Sequence, residues 1–178
     1  MKETIKYGFI LGLICFLSSS VLAVVNGITE AKIKEQKAKA EGIARQEVMA
    51  QGQNFKPHYE GDKITFYRAY DSNNKLKGFV ISSKTKGYSS DIETAVGLNL
   101  NLEIVGVKIL SQNETPGLGN RIAEPSFLGQ FQGKNLDNLN EVQAITGATI
   151  SSGAVINSIK SKISELKEQL LQEVKYAG

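Results

Sequence analysis

Tyr7 to Thr29 carries no charged residue, and no other stretch limits the folding of this chain so strongly. Phe9, Ile10, Leu11, Leu13, Ile14, Phe16, Leu17, Val21, Leu22, Val24 and Val25 dominate it. At about 1.5 Å per residue, a helix of that length crosses a hydrocarbon core of about 30 Å. Ser18, Ser19 and Ser20 dilute the span but can bond within a helix. Val21-Leu22-Ala23 also fits the cleavage pattern of a signal peptide. Apolar character continues through Val24, Val25 and Ile28, which favours a retained anchor. Either reading puts the chain at a membrane. Lys2 and Lys6 precede the span, whereas Lys32, Lys34, Lys37, Lys39 and Arg45 follow it, so a positive-inside count points to a cytoplasmic domain.

Beyond the span, Glu30 to Gln51 is rich in Ala, Lys, Glu and Gln and reads as a helical stalk with solvated faces, ended by Gly52-Gln53-Asn54. Phe55 to Tyr59 reads as a polar loop with His58 at the surface. Lys63 to Tyr70 alternates as a half-buried strand, Asp71 to Asn74 turns, and Leu76 to Ser83 returns. Ile92 to Asn99 and Glu103 to Leu110 form a second hairpin about Leu100-Asn101-Leu102. Ser126 to Gly133 fits a short amphipathic helix with Phe127, Leu128 and Phe131 inward. Val155, Ile159, Ile163, Leu166 and Leu170 then recur at steps of three and four, which predicts a long helix from about Ile150 to Val174. The expected architecture is α+β: residues 1–29 a tail and transmembrane helix, 30–52 a helical stalk, and 53–178 a domain of antiparallel hairpins packed with helices.

The net charge of +3 is too mild for a nucleic-acid binder, and no basic patch is interleaved with aromatics. Cys15 is the one cysteine and His58 the one histidine, which excludes a cysteine-held iron–sulfur cluster and a zinc hydrolase. Redox work in such a chain falls to an organic cofactor. No strand-Gly-x-Gly-x-x-Gly-helix unit is present for a nicotinamide nucleotide. The stretch Thr146-Gly147-Ala148-Thr149-Ile150-Ser151-Ser152 delivers small hydroxyl residues to the start of the long helix. Free N–H groups and the positive dipole end suit an anion there, although an ordinary N-cap has the same composition. Upstream, Glu114-Thr115-Pro116-Gly117-Leu118-Gly119 permits sharp turns and close backbone approach.

Thr146-Gly147-Ala148-Thr149 resembles the [Ser/Thr]-Gly-Ala-Thr flavinylation motif of the FMN-binding subunits of two bacterial respiratory complexes. These are the G subunit of the Rnf-type ion-translocating ferredoxin:NAD oxidoreductase and the C subunit of the sodium-pumping NADH:quinone reductase. Glu114 to Gly119 is similar to a second block of that family, and Gly87-Tyr88-Ser89-Ser90 to a third. The resemblance covers nearly the whole chain. It implies FMN held covalently through a phosphoester to Thr149, attached by a flavin transferase. Thr146, Gly147, Ala148, Ile150, Ser151, Thr115, Gly117 and Gly119 would surround the phosphate and ribityl chain. Tyr88, Ser89 and Leu118 would lie near the isoalloxazine ring. Glu114, whose charge would repel a phosphate, is expected on backbone N–H groups or on another protein of the complex. In the family an acidic residue stands six positions before the modified threonine; here that position is Gln143.

The function so implied is an electron relay among the other membrane proteins of the complex, with no soluble substrate of its own and with its domain outside the cytoplasmic membrane. The short chain favours the Rnf-type G subunit. A counterpart of the quinone-reductase C subunit and a non-redox scaffold that has kept the fold are the alternatives.

Overall fold

The computed structural model describes residues 2–177. It divides into two units, Met1–Ala40 and Glu41–Gly178. Helix α1 (Lys2–Val48) is unbroken from the apolar span into the stalk. Its apolar side chains, Phe9, Phe16 and Leu22 among them, are exposed, and by length and composition it can cross a membrane. Inside the span Ser20 Oγ donates to the Phe16 carbonyl at 2.8 Å and Thr29 Oγ1 to that of Val25 at 2.7 Å, so these hydroxyls are satisfied within the helix. Farther along, Lys34–Glu30 and Lys39–Glu35 pair one turn apart on the solvated surface.

The second unit is a meander of five antiparallel strands in sequence order: β1 (Asn54–Glu60), β2 (Lys63–Tyr70), β3 (Leu76–Lys86), β4 (Asp91–Asn99) and β5 (Ile104–Ser111). The two expected hairpins are present, joined by a ladder between β3 and β4. Strand β1 corrects the loop expected at Phe55–Tyr59. Pro57, opposite Tyr67, is tolerated because an edge strand needs hydrogen bonds on one side only. His58 also departs from expectation: it is partly buried, its ring stacked on Phe66 at 4.4 Å, and its Nδ1 lies 2.7 Å from Arg68 Nη2.

One sheet face carries Phe66, Phe79, Ile81, Ile92, Val96 and Leu98. These pack against the predicted stripe of α3 (Thr149–Ala177), with Val155, Ile159, Ile163, Leu166 and Leu170 all buried. A short helix α2 (Pro125–Leu128) and flanking 3₁₀ turns close the same core with Ile122, Phe127, Phe131 and Leu139. Arg68 on β2 grips Glu173 on α3 with two charge-assisted bonds of 2.7 and 2.6 Å. The opposite face holds a smaller cluster of Val48, Met49, Ala69, Val80 and Ala95. Gly97 and Gly106 are cross-strand partners beneath the last turn of α1, and a Cβ on Gly97 would lie 2.0 Å from the Val48 carbonyl oxygen.

Candidate functional site

The three sequence blocks converge at the start of α3. Thr149 is its first residue, and the ladder opens with Ser152 N–H donating to the Ala148 carbonyl at 2.9 Å. The N–H groups of Thr149, Ile150 and Ser151 therefore precede the ladder, where a helix has no internal acceptor for them. Gly147 takes φ 82°, the left-handed turn that sends the chain into the helix. Ser152 Oγ accepts from Ile145 N–H at 3.0 Å and donates to the Ala148 carbonyl at 2.8 Å. Ser152 is thus the internal lock of the turn, while Thr149 stays exposed.

Beside this helix start lies a cavity of about 440 Å³, lined by Tyr88, Glu114, Thr115, Leu118, Gly119, Gly147, Ala148, Thr149, Ile150 and Ser151. Of the other expected residues, Thr146 is exposed next to the lining. Ser89 stands behind it, its hydroxyl 3.3 Å from Thr115 Oγ1. Gly117 shapes the upstream loop with φ 75°, its N–H donating to Asn120 Oδ1 at 2.8 Å.

Glu114 is the hub of the site. Its side chain is buried, and Oε1 accepts from Ser89 N–H at 3.1 Å, Ser90 N–H at 2.9 Å and Ser90 Oγ at 3.2 Å. Oε2 accepts from Tyr88 N–H at 3.2 Å and Ser151 Oγ at 2.6 Å. One carboxylate thereby ties the loop after β3, the loop after β5 and the first turn of α3. Burial opposes its ionisation, but the donors from Ser151, Ser90, Ser89 and Tyr88 outweigh that and hold its pKa below the usual carboxylate value.

Two glycines make room for the carboxylate. A Cβ on Gly87 would lie 2.4 Å from Glu114 Oε1, and one on Gly119 would lie 2.8 Å from Oε2 and 3.0 Å from Ser151 Oγ. Gly87 and Ser90 were not foreseen as part of the site; only their position in the Gly-Tyr-small-small block marked them. Gln143 lies away from the cavity, its backbone N–H bonded to Gln130 Oε1 at 2.9 Å.

The lining fits FMN. Its volume lies within the roughly 300–1,000 Å³ common for ligand pockets. Tyr88, Leu118 and Ile150, exposed by 68%, 49% and 60%, offer apolar surface to a flat ring. The hydroxyls of Thr115 and Thr149 and the helix start suit a phosphate ester, whereas the Ser151 hydroxyl proton is taken by Glu114. A larger groove of about 790 Å³ runs between β2, β3 and α3, where Lys84 pairs with Asp91 at 3.1 Å and Lys162 with Glu165 at 2.7 Å.

Known proteins resemble both parts of the chain. The family described as FMN-binding domain matches residues 87–164, and the RnfG N-terminal region matches residues 1–53. The G subunit of the Na(+)-translocating ferredoxin:NAD(+) oxidoreductase complex of Acetobacterium woodii is 30% identical over 189 residues, covering 91% of each chain. The G subunit of the proton-translocating ferredoxin:NAD(+) oxidoreductase complex of Clostridium ljungdahlii is 30% identical over 161 residues, covering 85% of each. The crystal structure of Shewanella oneidensis NqrC shares the fold, with TM-score 0.54 and 21% identity over 72% of this chain and 74% of that one. The chain belongs to the RnfG family, the G subunits of Rnf-type ion-translocating ferredoxin:NAD oxidoreductase complexes.

Proposed function

We propose that this protein carries FMN on Thr149 through a phosphoester and relays electrons between neighbouring centres of an ion-translocating ferredoxin:NAD oxidoreductase complex. The observation that carries this reading is the exposed Thr149 hydroxyl at the first turn of α3, opening on the cavity. A flavin transferase attaches the group. Residues 1–29 anchor the chain in the membrane, and residues 30–52 form the stalk, whose last part from Glu41 is packed into the domain of residues 53–178. That domain stands on the extracytoplasmic side among the other membrane proteins of the complex.

Bound FMN supplies one- and two-electron transfer. The chain's own groups supply position. The start of α3 offsets phosphate charge by about 0.3–1 kcal/mol. The hydroxyl of Thr115 would orient the ester and ribityl chain, and Tyr88, Leu118 and Ile150 would offer apolar cover to the ring. The NqrC-like reading rests on fold likeness alone, whereas the relatives that cover most of this chain are G subunits of Rnf-type complexes.

Thr149→Ala is expected to lose in-gel flavin fluorescence and the mass increment of an esterified FMN, while Thr146→Ala keeps most of both. A Thr149→Ala band that still fluoresces would sink the assignment. An intact wild-type mass equal to the sequence mass would favour the scaffold reading.

A further inference from the structure

Glu114 brings a full negative charge to the cavity wall, and every donor around it is neutral: three backbone N–H groups and the hydroxyls of Ser90 and Ser151. Hydrogen bonds of this kind stabilise the ion without cancelling its charge. Among the described residues no lysine, arginine or histidine lines the cavity, and Glu114 makes no ion pair. The low accessibility of its side chain also weakens screening by water and salt.

We propose that Glu114 is a potential-setting residue: its uncompensated charge opposes the negative charge that reduction brings to the isoalloxazine, and so keeps the bound FMN harder to reduce. This rests on the reading of Thr149 as the FMN site. A clasp with a purely mechanical role would use the same hydrogen bonds, so the two roles differ in charge alone. Gln is close to isosteric with Glu, and its amide nitrogen fits the Oε2 position. There Ser151 Oγ can turn to accept, and only the 3.2 Å bond from Tyr88 N–H is lost. Asp keeps the charge but falls short of the loops. At an effective dielectric of about 20, a unit charge near the ring shifts the reduction equilibrium by roughly tenfold or more.

The test is a spectroelectrochemical titration of the full-length protein, flavinylated during expression, with loading checked by intact mass. Glu114→Gln is expected to retain FMN and to show a raised midpoint potential, equivalent to roughly a tenfold gain in the reduction constant. Glu114→Asp is expected to lose thermal stability yet stay near the wild-type potential. A loaded Glu114→Gln protein with the wild-type potential would overturn the proposal, as would an Asp variant shifted as far as the Gln variant. If Glu114→Gln does not fold, Ser151→Ala decides when titrated well above the carboxylate range: the charge is kept there with one neutral donor fewer, so the potential should fall, and an unchanged or raised value overturns the idea. Wild-type protein without flavin by mass would instead overturn the site reading, a separate and visible result.

Discussion

At the site, single methyl groups decide whether the parts fit. Gly87→Val would place a branched side chain where Glu114 Oε1 stands, within 2.4 Å of the new Cβ. The carboxylate must then move, leaving partly buried N–H groups of the 88–90 loop without their acceptor at a cost of about 1 kcal/mol. Urea denaturation should report that loss, and flavin loading should fall with it. Gly119→Val meets the same carboxylate and Ser151, and should behave alike. Gly117→Ala is the contrast: the space around it is open and only its φ of 75° is strained. The expected cost there is about 1 kcal/mol with loading retained. If Gly87→Val loads fully at wild-type stability, Glu114 is not the hub described. The sequence named the glycines of the upstream loop as places of close approach to a ligand. At Gly119 the approach is to the protein's own carboxylate, a contact between blocks that spacing along the chain does not reveal.

Between elements, the clamp of Arg68 on Glu173 fixes α3 against β2, and both side chains are about a fifth exposed, at 23% and 22%. The hydrogen bond from Arg68 holds Glu173 below its ordinary pKa, against an opposing contribution from burial. Because the folded value lies below the unfolded one, near 4.3, the stabilisation is full above that pH and fades as pH falls through the folded pKa. Glu173→Gln should therefore cost about 1 kcal/mol at pH 7, after allowance for partial exposure. The gap between the two proteins should close in acid, as read from denaturation curves at pH 7 and below pH 4. A gap of constant size would show that Glu173 ionisation contributes nothing. Strand β2 was legible from its alternation and α3 from its stripe at steps of three and four, while β3 to β5 were legible as apolar runs returning from turn-forming residues. Strand β1 was not: Pro57 and His58 look like loop residues, and only the edge position makes a proline acceptable there. The short helix α2 was legible as an apolar cluster, with Phe127 and Phe131 meeting edge to face at 5.3 Å.

For the whole molecule, the sequence was most informative where a short contiguous motif holds the chemistry, and least where distant segments share one group. Thr149 is proposed as the FMN site from four residues. For Glu114 the kind of partner, backbone N–H groups, was legible, but not which ones, because they and Ser151 lie 24 to 37 residues away in both directions. Sidedness is a proposal at the same scale, drawn from the family likeness against the lysines after the span. Protease added to intact spheroplasts is expected to remove the portion from Glu30 to Gly178. Protection there, with cleavage only in inverted vesicles, would reverse the assignment in favour of the charge count. The Glu114 hub also has a consequence for biogenesis. The ribosome releases the Gly87–Ser90 loop first, Glu114 next and Ser151 last, since chains emerge from the N-terminus. Until α3 has been made and docked, the carboxylate lacks the 2.6 Å bond that joins it to the helix bearing Thr149. A transferase that recognises the assembled cavity would thus be blind to truncated or half-folded chains, and the yellow colour of the product would certify that synthesis had run to its end.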